Sequence, residues 1–121
     1  MENPRISVRQ EQGVTVVELL DKDIPKYDEQ ANNEIAQSLF AAAQQTTPVK
    51  MVVDFGRVNY VGSAMLGTLI RLSKRIHETG GGLRLCTIPP LLLEMFIITK
   101  LDRVFDIHPE RQAAISSFVT Q

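Results

Sequence analysis

Cysteine is nearly missing from this chain: Cys86 is the only one in 121 residues. No internal disulfide can form, so a reducing compartment is expected, with Cys86 read as a small core residue inside an apolar run. An excess of charge of either sign is also missing. Thirteen basic against fourteen acidic side chains leave a net charge of −1, which gives neither nucleic acid nor an anionic membrane an electrostatic footprint. Direct nucleic-acid binding is not expected on that ground. The start, MENPRISVRQ, has no signal-type apolar segment, and no later run approaches the ~18 apolar residues that span a bilayer. A cytoplasmic protein without membrane contact is expected. Histidine occurs twice, as His77 and His108, with no partner at metal-ligand spacing, so no metal is expected. Gly80-Gly81-Gly82 follows a helical pattern and precedes a strand, the reverse of the order that aims amides at phosphate, so it reads as a helix cap and no cofactor is expected. Internal repeats, linkers and low-complexity segments are missing as well. A composition of 44% hydrophobic and 22% charged residues then fits one globular domain, 1–121, able to bury a core.

What is present is organised around residues 51–72, MVVDFGRVNYVGSAMLGTLIRL. Met51, Val52, Val53 and Phe55 make an apolar run too short for a helix and rich in β-branched residues, bounded by Asp54 and Gly56. This predicts a central parallel strand covered on both faces. Val58, Tyr60 and Val61 stay extended up to Gly62. Leu66, Leu69, Ile70 and Ile76 then recur at helical spacing, with Ser63 as the expected N-cap whose hydroxyl accepts a free backbone N–H.

The rest of the chain alternates. Residues 6–12 and 14–20 predict an N-terminal hairpin turning at Glu11-Gln12-Gly13. Asp28-Glu29 opens a helix with Ala31, Ile35, Leu39 and Ala42 on one face, running to about residue 45, where Thr46-Thr47-Pro48 stops it. After the central strand and second helix come a strand at 83–88, a third helix from 91 to about 100 behind Pro89-Pro90, a strand at 104–107 and a C-terminal helix after Pro109. The order β-β-α-β-α-β-α-β-α predicts an α/β fold, a mixed and mostly parallel sheet with helices packed against it.

The tract VDFGRVNYVGSAMLGTLI resembles the signature of STAS domains, the fold of bacterial anti-sigma-factor antagonists, and the element order matches that fold over essentially the whole chain. In that family the strand and an apolar loop lead into Asp-Ser-Ser/Thr-Gly-Leu-Gly at a helix start, where one hydroxyl is phosphorylated by a partner kinase. Here the tract is Gly62-Ser63-Ala64-Met65-Leu66-Gly67: the first hydroxyl is kept, while the acidic residue, the second hydroxyl and the first glycine are replaced. The resemblance implies a module that binds an anti-sigma factor with serine kinase activity and releases a sigma factor, with phosphorylation at Ser63. It implies partner contacts at Gly62, Ser63, Ala64 and Met65, and at Asp28, which falls where the family has an acidic residue facing the kinase. Asp28 also reads as a helix N-cap, a role compatible with that contact. The alternative is an unphosphorylated STAS interaction or scaffold module, with a small ligand at the same edge. A hydrolase using Ser63 would need a base, and neither histidine is placed to serve it, so no enzyme is expected.

The third helix is apolar nearly all round, LLLEMFII over residues 91–98. Leu92, Met95, Phe96 and Thr99 can serve the sheet, which leaves Leu91, Leu93 and Ile97 for an interface, most simply a homodimer. The alternative is that the C-terminal helix folds over them.

Overall fold

Period-two alternation decides which side of the sheet each strand residue serves, and here both sides are apolar. The computed structural model describes residues 5–24, 29–45 and 47–119. Strands β1 (Ile6–Glu11) and β2 (Val14–Leu19) form an antiparallel hairpin that turns through Gln12 and Gly13, both at positive φ. A short strand β3 (Asp23–Ile24) and helix α1 (Glu29–Ala42) follow. Then come β4 (Lys50–Asp54), the short β5 (Tyr60–Val61) and α2 (Ser63–Glu78). The chain continues through β6 (Gly82–Cys86), α3 (Pro90–Ile98), a 3-10 turn at Leu101–Arg103, β7 (Asp106–His108) and α4 (Arg111–Val119).

The main sheet has the order β1-β2-β4-β6-β7, parallel except for the first pair. Each parallel strand is added beside its predecessor in one direction, and right-handed crossovers then carry all the connecting helices to one face. Val17, Leu19, Met51, Val53, Leu83 and Leu85 meet that helical layer in one buried cluster with residues of α1, α2 and α3. The opposite face carries Val14, Val16, Val52 and Cys86 against Ala114, Ile115 and Phe118 of α4. Burial pushes the Cys86 thiol up to about 11, a Thr87 hydrogen bond opposing it only in part.

The expected order therefore holds for the main sheet and the four helices, and several boundaries move. The last strand begins at Asp106 rather than 104, because residues 101–103 wind into a 3-10 turn and Phe105 is drawn into the core. Helix α2 closes as expected: Gly80 takes φ 83° and donates to the His77 carbonyl at 3.0 Å, while Gly81 donates to the Ile76 carbonyl at 3.0 Å. Gly81 packs so close to Val49 that an added Cβ would collide with the Val49 backbone carbonyl. Gly81→Ala is accordingly expected to lower the urea midpoint clearly, a loss of about 2 kcal/mol or more, since the contact is backbone and cannot rotate away.

Candidate functional site

The two chain segments that leave the carboxyl ends of β2 and β4 are fastened to each other, and their junction carries the start of α2. The Asn59 and Tyr60 N–H groups both donate to the Lys22 carbonyl, at 2.6 and 3.3 Å. Asp23 and Ile24 pair in parallel with Tyr60 and Val61, and the Gly62 N–H donates to the Ile24 carbonyl at 3.0 Å. Phe55, Val58 and Val61 pin the second segment from beneath, each essentially inaccessible. Its first residues are fixed by the Phe55 N–H on the Cys86 carbonyl at 3.0 Å and by the Gly56 N–H on Asp54 Oδ1 at 2.7 Å. The result is a preorganised edge at the carboxyl end of a parallel sheet, the usual place for recognition in α/β folds.

Ser63 stands on this edge, exposed, but it is not the N-cap. Gly62 holds that position, with the extended conformation of a cap (φ −81°, ψ 172°) and a carbonyl that accepts from the Met65 and Leu66 N–H groups at 3.1 and 3.2 Å. Serine is the better capping side chain, which is why the sequence points to it. The β3–β5 pairing settles the matter otherwise, because it carries extended backbone through Val61 to Gly62 and the helix can start only after it. Ser63 is thus the first helical residue, and the cap position itself, Gly62, carries no side-chain cap bond. Among the described residues its hydroxyl has no hydrogen-bond partner, and the first turn of α2 holds no acidic residue.

The remaining expected contacts divide. Ala64 is exposed beside Ser63, whereas Gly62 is buried and Met65 is a core residue at 0% exposure. Met65 therefore supports the edge from below instead of meeting a partner, as its place three residues before Thr68 and four before Leu69 on the buried face of α2 requires. Asp28 lies outside the described residues. Two accessible side chains of the edge had no motif to mark them: Arg57, whose Nε lies 3.4 Å from Glu18 Oε2, and Tyr60, an exposed aromatic. The signal available for them was the spacing of Phe55, Val58 and Val61, which turns the intervening residues outward.

Away from this edge, α3 presents an apolar surface. Leu92 and Phe96 are buried, Leu93 and Met95 half-buried, and Leu91 is 80%, Ile97 52% and Ile98 75% exposed. Thr99 does not serve the sheet; it is exposed and its hydroxyl donates to the Met95 carbonyl at 2.8 Å, closing the helix. Nor does the C-terminal helix cover α3, since α4 packs on β4, β6 and β7. His77 is exposed on α2, and His108 Nε2 lies 3.1 Å from Asp106 Oδ1. Among the described residues no group of His, Cys, Asp or Glu could hold a metal ion, and no helix is long and apolar enough to cross a membrane.

Comparison with known proteins agrees with this geometry. A family model described as STAS domain matches residues 5–114. BtrV of Bordetella bronchiseptica, a proposed anti-sigma factor antagonist, is 31% identical over 90 residues, 74% of this chain and 78% of its own. Among solved structures, an anti-sigma-factor antagonist (STAS) domain protein from Planctomyces limnophilus superposes with a TM-score of 0.80 at 29% identity, covering 95% of this chain and 98% of that one. An anti-sigma factor antagonist from Mycobacterium paratuberculosis gives 0.73 at 25% identity, covering 93% and 91%.

Proposed function

The chain belongs to the STAS domain family, and from that premise we propose that it is an anti-sigma-factor antagonist of the cytoplasm whose binding edge is switched by phosphorylation at Ser63. The observation that carries the proposal is an exposed hydroxyl on the first residue of α2, without a hydrogen-bond partner among the described residues and held on an edge whose backbone is tied down on both sides. The partner is an anti-sigma factor with serine kinase activity. In its unmodified form the antagonist occupies that partner and so releases a sigma factor; the protein itself catalyses nothing.

In the modification step, Ser63 Oγ bonds to the γ-phosphorus of ATP as the bond from that phosphorus to the ADP oxygen breaks, and the hydroxyl proton leaves to a kinase base. The product dianion sits at a helix N-terminus, where unpaired N–H groups and the helix dipole favour it. No acidic side chain in the first turn of α2 opposes it.

Incubation with the partner kinase and ATP is expected to add one phosphate to the intact mass, and peptide mapping to place it on Ser63. Full modification of a Ser63→Ala protein, or phosphate found only on Ser73, Ser116 or Ser117, would reject the switch and leave an unphosphorylated interaction module as the reading. The uncovered outer side of α3 supports a second, compatible role as a homodimer seam built on Leu91 and Ile97, with the half-buried Leu93 beside them. Sedimentation is expected to show a concentration-dependent dimer that Leu91→Glu or Ile97→Lys converts to monomer without unfolding; a wild-type chain that stays monomeric at high concentration sinks this second role.

A further inference from the structure

Helix α4 opens on Arg111, a cation in the turn where a helix favours anions, and that turn contains no acidic residue. The side chain is spent elsewhere. Its Nε donates to Asp54 Oδ2 at 3.0 Å, its Nη2 lies 2.9 Å from the same oxygen, and the Asp54 carboxylate is almost wholly buried. The same guanidinium lies 3.9 Å from Glu18 Oε2 and 3.7 Å from Glu11 Oε2. Burial pushes Arg111 down, but the Asp54 hydrogen bond and the three carboxylates outweigh it and leave the group raised.

What these carboxylates hold in turn is the beginning of the Ser63 edge. Asp54 uses its other oxygen to accept the Gly56 N–H at 2.7 Å, and Glu18 lies 3.4 Å from Arg57 Nε. One guanidinium on α4 therefore reaches two successive residues of the 55–62 segment, each through a different carboxylate on a different strand. The second attachment of α4, by contrast, does not involve this segment: Arg84 donates to Ser117 Oγ at 3.0 Å and stacks over the Phe118 ring at 4.2 Å.

We propose that Arg111 is a positioning residue for the Ser63 edge, setting the place of Gly56 and Arg57 through Asp54 and Glu18 and so making the docking of α4 a determinant of partner affinity. The functional half of this rests on the reading of that edge as the partner surface. Planar, multiply donating geometry is required, because one head group must serve two carboxylates on neighbouring strands. Lysine keeps the charge but is a point donor and cannot do so.

The test is amide hydrogen exchange on the full chain, with affinity for the anti-sigma factor measured alongside. Arg111→Lys keeps the buried charge balanced and is the principal variant; Arg111→Gln is the graded second, and Arg84→Ala is the control that loosens α4 at its other end. Arg111→Lys is expected to speed exchange of the Gly56 to Gly62 amides roughly tenfold, with the interiors of α1 and α2 unchanged, and to weaken partner binding several-fold. Arg84→Ala should speed exchange in α4 and leave residues 56–62 as they were. Unchanged exchange at 56–62 in Arg111→Lys, or an equal rise in Arg84→Ala, overturns the proposal. A faster 56–62 segment with unaltered partner affinity upholds the positioning of the loop by Arg111 and overturns the assignment of the Ser63 edge as the partner surface.

Discussion

Under the proposed switch, a Ser63→Asp protein is expected to bind the anti-sigma factor roughly 30-fold to several thousand-fold more weakly while melting at nearly the temperature of the unmodified chain. The affinity loss follows from burying an unmatched charge at an interface, which costs about 2–5 kcal/mol. The unchanged melting follows from the site. Ser63 is exposed and lies at the helix N-terminus, so an added negative charge meets the free N–H groups of the first turn and no acidic neighbour there. The edge itself should not move, because its backbone is held by the Lys22 and Ile24 carbonyls and its apolar residues are buried beneath it. Ser63→Ala is informative in the opposite direction. An N-cap serine would lose about 1 kcal/mol on truncation, but Gly62 and not Ser63 is the N-cap and alanine is the better helix former, so stability should stay within about 0.5 kcal/mol and binding should become constitutive. Calorimetric binding and thermal unfolding of the same samples decide the matter. A Ser63→Asp protein that binds normally, or that loses affinity only in step with a collapse of its melting temperature, would show that charge at the contact surface is not the switch.

The offset between Ser63 as an N-cap and Ser63 as the first helical residue shows where the sequence was legible and where it stopped being so. Strong local patterns were readable. The short β-branched run of β4, the helical spacing of Leu66, Leu69, Ile70 and Ile76, and the glycine at the end of α2 each carry their signal within a few residues, and the fold class follows from their alternation. Two-residue strands carry no such signal. Asp23-Ile24 reads as part of a polar connection, and only its pairing with Tyr60-Val61, more than thirty positions away, turns it into a constraint on where α2 may start. Arg111 is invisible for the same reason: its partner Asp54 is 57 positions distant, and a cation at a helix start reads as an imperfection until the carboxylates around it are seen. Met65 was misplaced for a different reason. A motif match assigns a residue by its position in a string, whereas the side it faces is set by the helical period, and that period puts Met65 under the edge with Leu69 and Leu72.

The same period divides α3, and it predicts that two substitutions on this one short helix will differ by several kcal/mol. Phe96 is fully buried, with its ring edge-on to Phe55 at 6.2 Å and tilted against Phe105 at 6.0 Å. Removing such a ring costs about 3–5 kcal/mol through lost burial and the cavity that remains. A chain of this length has a total stability on the order of 6–18 kcal/mol, so Phe96→Ala should spend a large part of it. At about 3–5 °C per kcal/mol for a domain of this size, the melting temperature should fall by roughly 10–25 °C. The damage should not be confined to α3, because Phe55 stands at the beginning of the segment that carries the Ser63 edge and loses its packing partner. Leu91, at 80% exposure, has no such burial to lose, and Leu91→Glu should leave monomer stability within about 0.5 kcal/mol. Urea unfolding of both variants, with the slope compared as well as the midpoint, separates the two sides of the helix. Similar losses in both would mean that Leu91 is packed in the folded protein and that α3 has no free outer surface; a Phe96→Ala protein as stable as the parent would mean that the aromatic cluster does not hold α3 to the sheet.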